Sequence, residues 1–296
     1  MEIKLLKQLN QTDGLSISQL ANLLNLSTIK TLDLISKINQ IQPNLIGGNA
    51  TTYRLTSKLN FLNQQEITRR LKENNFEYNC LILDHCDSSN NYAMNHISQL
   101  DQRSIISCEW QSAGRGRFGR KWLSTIAHDI TVSFIYHFKL EFKVQLLPIV
   151  CAVAINRLLK NYQIANKIKW PNDIYHADTK IAGVLVENIL RNNINNVVIG
   201  IGLDNINNLE RNQLLVDLVV NLEQAFSEFK LFGFPLLRRE WLDNCWHLNR
   251  QVQIQQNGVT IAEGTHCDIN ENGELIINTP VGKQSFSSSA ISLIVN

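Results

Sequence analysis

Long apolar segments and an excess of charge are both missing from this sequence of 296 residues. Its longest apolar run, from Leu146 to Ile155, is about half of the length that crosses a bilayer, and the first ten residues lack the apolar stretch of a signal peptide. The formal net charge is only +2, so no general electrostatic attraction for nucleic acid or anionic lipid is expected. We therefore expect a cytoplasmic protein that does not enter a membrane.

Cysteines at redox or metal-binding spacing are also missing. The six cysteines include no Cys-x-x-Cys motif and no spacing typical of zinc ligands. Cysteines without such spacing are typical of a cytoplasmic protein whose thiols stay reduced. The sequence therefore predicts neither a disulfide framework nor a zinc site, and it excludes the small secreted and zinc-finger classes of protein.

Glycine is scarce, with 14 in the chain, yet Gly114, Gly116 and Gly119 fall within six residues. The segment 114–122 reads GRGRFGRKW and contains four cations and no acid. Glycine is used where the backbone must take conformations that are closed to other residues. This Gly-rich basic loop (114–122) is therefore the first candidate for a functional site.

Two phosphate-binding patterns were compared with the loop, and neither explains it. The Gly-x-Gly-x-x-Gly spacing of dinucleotide-binding folds needs a helix after it, whereas a strand-like segment, ITVSFIYHF, follows here. The P-loop needs Lys-Ser or Lys-Thr where Arg120 and Lys121 stand. The loop is then best interpreted as a cationic segment that wraps a polyphosphate or an acyl phosphate. Two alternatives remain for its function: a solvated basic loop, and a clamp on the phosphate backbone of a nucleic acid.

Residues 1–60 have the pattern of a winged helix-turn-helix. Helical periodicity, a capping box at Ser16 and a tight turn ending at Ser27 predict three helices, and a hairpin around Gly47 and Gly48 would form the wing. The third helix has its expected apolar face at Ile29, Leu32, Ile35 and Ile38. Two helices joined by a short turn are typical of DNA-binding domains. The residues expected to contact DNA are Ser27, Thr28, Lys30 and Thr31.

The remainder of the chain divides at about residue 247. Residues 61–247 alternate strand and helix patterns, which predicts an α+β domain with a mixed sheet. From residue 248 to 296 the pattern changes to short alternating strands with turn signals, which predicts a small SH3-like β-barrel. The expected fold class is therefore α+β with three domains, 1–60, 61–247 and 248–296.

Three further groups of polar residues accompany the basic loop. The segment 169–173, KWPND, places a cation, an aromatic ring and a carboxylate at a strand end, and Lys180 opens the apolar strand IAGVLVE seven residues later. The segment 87–90, DSSN, starts a helix, and Gln111 directly precedes the loop. Taken alone, these features also fit a plain turn, a lysine at a sheet edge and a helix N-cap.

In their order and intervals, the segments DSSN, WQSAGRGRFGRKW, KWPNDIY, KIAGVLVE and VVIGIG resemble the bacterial biotin protein ligases. The resemblance covers nearly the whole chain. It implies a central ligase domain of the class II synthetase type between the winged helix and the SH3-like domain. The N-terminal match implies the bifunctional members, which also repress biotin-synthesis genes.

The resemblance implies a reaction in two steps. Biotin would be activated with ATP and Mg²⁺ to biotinyl-5'-AMP, and biotin would then be transferred to a lysine of the biotin carboxyl carrier protein of acetyl-CoA carboxylase. The implied partners are this carrier, the operator DNA of the biotin genes and a second copy of the chain when ligand is bound. Two alternatives remain open: a lipoate or octanoate ligase of the same fold, and a biotin-sensing regulator with weak catalysis.

Residue roles follow from the resemblance, position by position. The residues expected to hold the ureido head of biotin are Ser88, Ser89, Asn90 and Gln111. Those expected to bind biotin and close over the adenylate are Arg115, Gly116 and Arg117, with Trp122 as a cover. Lys180 would contact the activated carboxylate. Those expected to lie against ATP are Lys169, Asn172 and Asp173, and the expected catalytic residues are Arg115, Arg117, Asp173 and Lys180. No metal ligand is assigned beyond Asp173 toward the Mg²⁺ of ATP.

Three positions depart from the family's usual residues. Ser89 replaces a threonine, which keeps the hydroxyl, whereas Asp129 and Asp204 stand where asparagine is common.

The third helix of the N-terminal segment also has few basic residues. Six cations and three acids in residues 1–60 leave a net charge of +3, which gives a modest attraction for phosphate. Operator binding therefore competes with a role of this segment in interdomain packing or ligand-dependent dimerisation.

Overall fold

The computed structural model describes residues 1–49, 51–288 and 291–295. The N-terminal segment consists of three helices and a hairpin, as its sequence pattern predicts: α1 (Glu2–Asn10), α2 (Ile17–Leu24), α3 (Thr28–Ile41), β1 (Ile46–Gly48) and β2 (Tyr53–Leu55). The capping box at Ser16 is present, with Gln19 as its partner. The hydroxyl of Ser27 accepts the N–H of Lys30 and so caps α3.

The buried face of α3 differs from the expectation. Ile29 and Leu32 are 71% and 42% exposed, whereas Thr31 is fully buried and its hydroxyl donates to the carbonyl of Ser27. The inward positions are Thr31, Leu34, Ile35 and Ile38, which follow the helical period of 3.6 residues. Thr31 therefore cannot contact DNA in this arrangement. The expected apolar face is correct at Ile35 and Ile38, which are buried, and wrong at Ile29 and Leu32.

The central region is a seven-stranded mixed sheet with helices on both faces. Its helices are α4 (Gln64–Glu73), α5 (Ser89–Asn95), α6 (Leu147–Asn161), α7 (Arg211–Phe232) and α8 (Phe234–Asp243). Its strands are β3 (Asn79–Leu83), β4 (Ser104–Cys108), β5 (Ile130–Lys139), β6 (Lys167–Lys169), β7 (Asp173–His176), β8 (Thr179–Arg191) and β9 (Ile194–Leu203). The strand order is β3-β4-β5-β9-β8-β7-β6, in which only β3 and β4 are parallel neighbours. The α+β region with a mixed sheet that the sequence predicts is present, and β7 begins at Asp173, the last residue of the KWPND segment.

Helix α6 forms the centre of the core. The segment Val144–Asn161 has the length and apolar character of a membrane-spanning helix, but 67% of it is buried inside the protein. It packs against β6, β7 and β8 on one side and against α7 and α8 on the other. Helix α5 covers the opposite face of the sheet, over β4, β5 and β9. The core therefore fixes both faces of the strands whose ends carry the polar segments.

A buried ion pair holds the linker after the N-terminal segment. The guanidinium of Arg211 donates to the carboxylate of Glu109 at 2.5 Å and to the carbonyls of Asn60 and Asp129. Glu109 also accepts the N–H of Leu62, and neither charged side chain is exposed. Residues 60–62 are thus fixed to the central region by groups that lie far apart in the chain.

The C-terminal region is an open five-stranded antiparallel sheet. Its strands are β10 (Gln251–Gln256), β11 (Val259–Ile269), β12 (Leu275–Thr279), β13 (Gly282–Phe286) and β14 (Ser292–Val295). Their order is β13-β12-β11-β10-β14, and β13 and β14 do not pair within the described ranges. The expectation of a closed SH3-like β-barrel is therefore wrong, because β14 pairs only with β10 and β13 remains an edge strand. Trp170 Nε1 donates to the carbonyl of Gly273 and joins this sheet to the central region.

Candidate functional site

A cavity of about 650 Å³ lies between the end of the central sheet and strand β14. Its walls bring together every residue that the sequence predicts for small-molecule binding or catalysis. These are Ser88, Ser89, Asn90, Gln111, Arg115, Gly116, Arg117, Trp122, Lys169, Asn172, Asp173 and Lys180. Residues from 88–90, 111–122, 169–173 and 180 therefore meet in one place, while their individual roles remain predictions.

One end of the cavity is built from neutral hydrogen-bonding groups. The hydroxyl of Ser133, on β5, donates to Asn90 Oδ1 at 2.5 Å and lies 2.8 Å from the hydroxyl of Ser89, from which it accepts. The backbone N–H of Ser89 donates to Oε1 of Gln111 at 2.7 Å. Ser89 and Asn90 are nearly fully buried. This end can exchange amide and hydroxyl hydrogen bonds with a compact neutral ligand.

The side chain of Asn90 occupies the space that Gly200 leaves open. A Cβ at Gly200 would overlap with the amide of Asn90. The Nδ2 group of Asn90 donates to Glu187 Oε2 at 2.9 Å, and the same carboxylate accepts from Arg115 at 3.0 Å. Glu187 thus connects the neutral end of the cavity to the basic loop.

The other end of the cavity is cationic, and a lysine–aspartate pair lies at its floor. Lys180 Nζ is 2.7 Å from Asp173 Oδ1. A Cβ at Gly183 would fall 2.9 Å from this ammonium group, so the glycine leaves room for the pair. The ammonium group also lies 5.5 Å from the ring of Trp122, which covers Gly202.

The basic loop is attached to the C-terminal sheet. Arg117 donates to the carbonyl of Ser288 and, at 3.4 Å, to Asn172 Oδ1, while Arg120 donates to Ser292 Oγ at 3.0 Å. Burial lowers the pKa of the Arg117 guanidinium. The loop therefore already closes one side of the cavity through contacts with residues more than 170 positions away.

Two aromatic rings flank the lysine that begins the KWPND segment. Lys169 Nζ lies 5.4 Å from the ring of Tyr175 and 5.7 Å from that of Trp246. Burial lowers the pKa of this lysine, and the nearby charge of Asp173 opposes that effect. Desolvated cations of this kind interact more strongly with an anion than exposed ones do.

The two unusual aspartates lie next to each other. Asp129 is buried and accepts the N–H groups of Thr125 and Asn205. Asp204 lines the cavity, and its burial together with the charge of Asp129 raises its pKa to about 6. The cationic end therefore contains one carboxylate that is readily protonated.

Two polar residues that no motif in the sequence marks contact the predicted site residues. Ser133 and Glu187 lie within apolar strands and position the predicted residues Ser89, Asn90 and Arg115. A polar residue inside an otherwise apolar strand was the available signal. Strand β14 also contributes Ser292 and Leu293 to the wall, and no local motif marks these residues.

The residues predicted to contact DNA lie away from the cavity, on α3. Ser27, Thr28 and Lys30 are exposed there, next to the exposed apolar side chains of Ile29 and Leu32. Thr31 faces the interior, as described above. The surface at the start of α3 therefore combines one cation with two hydroxyls and an apolar patch.

The cavity as a whole suits a two-part ligand. Neutral donors and acceptors surround one end, whereas Arg115, Arg117, Lys169 and Lys180 supply cations at the other. The groups at the cationic end can stabilise negative charge that develops during a phosphoryl or acyl transfer. The geometry fits a polar neutral head joined through a carboxylate to a nucleotide.

Two protein families match the chain. Residues 84–204 match the Biotin/lipoate A/B protein ligase family, and residues 247–294 match the Biotin protein ligase C terminal domain. The first match contains the basic loop, the KWPND segment and Lys180. The second contains the open sheet that contributes β14 to the cavity.

Relatives over most of the chain carry related names. The Bifunctional ligase/repressor BirA of Escherichia coli (strain K12) is 29% identical over 227 residues, which cover 68% of this chain and 69% of the relative. The Bifunctional ligase/repressor BirA of Bacillus spizizenii is 24% identical over 268 residues, which cover 81% and 82%. The Biotin–protein ligase of Homo sapiens is 29% identical over 51% of this chain and 25% of its own length.

Solved structures share the fold. The biotin protein ligase from Aquifex aeolicus in complex with biotin and ATP superposes with a TM-score of 0.65 and is 23% identical. The superposition covers 74% of this chain and 99% of the Aquifex chain. At this identity the likeness shows a shared fold.

Proposed function

The chain belongs to the biotin/lipoate A/B protein ligase family, and on that premise we propose that it is a biotin–protein ligase. It activates biotin with ATP to biotinyl-5'-AMP and transfers biotin to a lysine of the biotin carboxyl carrier protein of acetyl-CoA carboxylase. The observation that carries this proposal is the single cavity that joins a neutral amide and hydroxyl pocket to a cluster of cations. The match of residues 247–294 to the biotin protein ligase C terminal domain favours biotin over lipoate.

The neutral end binds the ureido head of biotin. Ser89, Asn90 and Gln111 supply hydroxyl and amide groups, and a ureido group needs both donors and acceptors. Ser133 and Glu187 fix the orientation of these side chains. Ser88, buried at the start of α5, adds a further hydroxyl to this end. The carboxylate tail of biotin then extends toward Arg115 and Lys180.

The cationic end lowers the barrier to adenylation. The carboxylate of biotin must attack the α-phosphorus of ATP and displace pyrophosphate, although both reactants are anions. Arg117, Lys169 and Lys180 offset this repulsion and stabilise the negative charge on the transferring phosphoryl group. A single donor of this type is typically worth about 3–4 kcal/mol of the activation barrier. Trp122 and the basic loop cover the mixed anhydride, which water would otherwise hydrolyse.

The oxygen ligands at the cationic end fit the Mg²⁺ that accompanies ATP. Mg²⁺ prefers carboxylate, phosphate and water oxygens. Asp173 is paired with Lys180, so Asp204 is the carboxylate with no hydrogen-bond partner among the described residues. Asp204, together with Asp173 and Asn172, which also line the cavity, would hold the metal–triphosphate complex, and the cation would neutralise charge on the phosphates.

In the second step the amine of the carrier lysine attacks the acyl carbon of biotinyl-AMP, and AMP leaves. The amine must first lose a proton, since its ordinary pKa is about 10.4. Asp173 is the carboxylate that can orient this amine, because it already holds one ammonium group at hydrogen-bonding distance. Arg115 and Arg117 then stabilise the departing phosphate.

Biotin-dependent exchange of pyrophosphate into ATP tests the adenylation step, with lipoate assayed in parallel. Exchange with biotin supports the proposal. Exchange with lipoate alone would transfer the function to the lipoate branch of the family. Absence of exchange with both, in protein shown to be folded by circular dichroism, would leave a ligand-sensing regulator. Transfer is then assayed by incorporation of biotin into purified carrier protein.

A second role rests on the N-terminal segment. We infer that residues 1–60 form a winged helix domain, followed by a ligase domain (61–247) and a C-terminal domain (248–296). The winged helix domain binds operator DNA when the other two domains hold biotinyl-AMP. Support comes from the helix–turn–helix order of α2 and α3, and from the bifunctional names of the bacterial relatives. Ser27, Thr28 and Lys30 are the proposed contacts, and a homodimer of the cytoplasmic protein is the proposed DNA-binding form.

A gel-shift experiment distinguishes this role from a packing role. Promoter DNA of the biotin genes is mixed with the protein with and without biotin and ATP, at moderate salt. A shift that needs both ligands and weakens in Lys30→Ala supports the proposal. No ligand-dependent shift, together with normal pyrophosphate exchange, would leave the segment as a packing element.

A further inference from the structure

Three side chains of the kinds that bind soft metal ions meet outside the cavity. Cys245 follows helix α8, His247 lies two residues later, and His266 is on β11. One ligand atom from each lies within 4.8 Å of the others. The two histidines are 0% exposed and the cysteine is 9% exposed. None of the three lines the proposed ligand cavity.

The backbone around the cluster is held firmly. The N–H of Trp246 donates to the carbonyl of Ile168 at 2.9 Å, so the segment of Cys245 pairs with strand β6. The N–H of His266 donates to the carbonyl of Arg250 at 3.0 Å, which joins β11 to the same segment. The cluster thus lies where the central and C-terminal regions meet.

The ring of His266 is oriented as in a metal ligand. Its Nε2 lies 3.0 Å from the carbonyl oxygen of Asp268. A carbonyl only accepts, so Nε2 carries the proton and Nδ1 presents its lone pair to the thiol of Cys245. Metal-binding histidines usually have such an outer partner. Nδ1 lies 3.9 Å from Cys245 Sγ, and tetrahedral zinc with ordinary bond lengths holds nitrogen and sulfur ligands about 3.6 Å apart.

The ring of His247 has an unsatisfied atom. Its Nε2 accepts the N–H of Trp170 at 3.0 Å, so the proton of the neutral ring is on Nδ1. Nδ1 is buried and finds no hydrogen-bond partner among the described residues. A buried donor without an acceptor typically costs about 1–3 kcal/mol. A cation bound to Nδ1 would replace that proton.

We propose that Cys245, His247 and His266 bind a thiophilic divalent cation of the zinc class, with one coordination position left for water. One thiolate and two imidazoles suit zinc, and the absence of a carboxylate among the three disfavours Mg²⁺ and Ca²⁺. Binding releases the thiol proton of Cys245, and the proton of His247 moves from Nδ1 to Nε2, so that the imidazole stays neutral and its Nδ1 binds the cation. The hydrogen bond from the N–H of Trp170 to Nε2 is then lost, which makes the site weaker than a permanent structural zinc site.

Metal binding to the full-length chain tests the proposal. Protein stripped with chelator under reducing conditions is equilibrated with zinc chloride and analysed for metal. Cobalt(II) is used in parallel, because its absorption reports thiolate ligation and tetrahedral geometry. We expect one equivalent of zinc per chain and a thiolate-to-cobalt charge-transfer band. Cys245→Ser should lose that band and raise the Kd for zinc by more than about 100-fold, the upper range for loss of an outer partner.

Two cysteine variants serve as matched controls. Cys267→Ser changes the residue that follows His266. The thiol of Cys267 donates to the carbonyl of Ile276. Cys86→Ser changes one member of a buried cysteine pair whose sulfurs are 3.1 Å apart. Both controls should bind zinc as the unchanged protein does. A zinc content in Cys245→Ser equal to that of the unchanged protein would overturn the proposal. If that variant does not fold, absence of the cobalt charge-transfer band in the unchanged protein would overturn it equally.

Discussion

Lys180 Nζ lies 2.7 Å from the carboxylate of Asp173, and both groups stand beside Gly183, where no side chain separates them. The two residues belong to neighbouring strands, β8 and β7, so their spacing is set by the sheet. The pair holds the ammonium group at a fixed point in the cavity before a ligand arrives. A catalytic cation that needs no rearrangement contributes most to a transition state.

Lys180→Ala should reduce pyrophosphate exchange by roughly 10²–10³-fold, because it removes a charge-stabilising donor. The Asp173 carboxylate would also be left without its partner. Exchange is measured at saturating biotin and ATP so that weaker binding does not hide the effect on turnover. Lys139→Ala, at an exposed strand end, is the matched control. Near-normal exchange in Lys180→Ala would contradict the assignment of this lysine.

Gly200→Ala should weaken biotin binding about tenfold or more. The added Cβ overlaps with the amide of Asn90, which must leave its contacts with Ser133 and Glu187. Loss of one or two hydrogen bonds at about 1 kcal/mol each corresponds to this factor. Isothermal titration with biotin provides the measurement. Gly47→Ala is the control, because its new Cβ makes only ordinary van der Waals contact, and it should bind biotin as the unchanged protein does. Equal biotin affinities for the two variants would refute the proposed role of Asn90 in biotin binding.

Asp204→Asn should gain stability relative to the unchanged protein as the pH rises. The pKa of Asp204 is raised to about 6 in the folded chain, by burial and by Asp129, whereas an unfolded aspartate titrates near 3.9. The native state therefore binds the proton more tightly, and its stability falls with rising pH between about 4 and about 6. Asparagine abolishes this loss. Melting temperatures at about pH 4.5 and about pH 6.5 measure the difference, and Asp178→Asn, at an exposed position, is the control. If the difference in melting temperature between Asp204→Asn and the unchanged protein does not vary with pH, the raised pKa of Asp204 is contradicted.

Arg211→Met should destabilise the fold by about 3–5 kcal/mol, because it leaves the buried carboxylate of Glu109 without its partner. Urea denaturation gives the free energy of unfolding. The double change with Glu109→Gln should cost less than the sum of the single changes, since both remove the same ion pair. Arg69→Met breaks an exposed pair with Glu73 and should cost less than about 1 kcal/mol. If the free-energy loss of the double variant equals the sum of the two single losses, Arg211 and Glu109 do not stabilise each other.

Much of the architecture is determined locally. The helical periods of α1 and α2, the caps at Ser16 and Ser27, and the runs that form β5 and β9 depend on residues a few positions apart, so they could be read from the sequence. The clustered glycines and arginines of 114–122 and the KWPND segment likewise carry their chemistry within a few residues. These local patterns mark the segments, and the resemblance to the biotin protein ligases implies that twelve of their residues form one small-molecule site; all twelve line the cavity.

Other features were decided only by the tertiary structure. Which face of α3 is buried depends on what packs against it, and Thr31 rather than Ile29 turns inward. Strand β14 pairs with β10 and leaves the C-terminal sheet open, an outcome of register between distant segments. Cys245 and His266, 21 positions apart, match no metal-binding spacing and meet only because β6 and β11 hold the same connecting segment. Local sequence sets local conformation, whereas contacts between distant residues depend on loop closure and on the packing of the whole core.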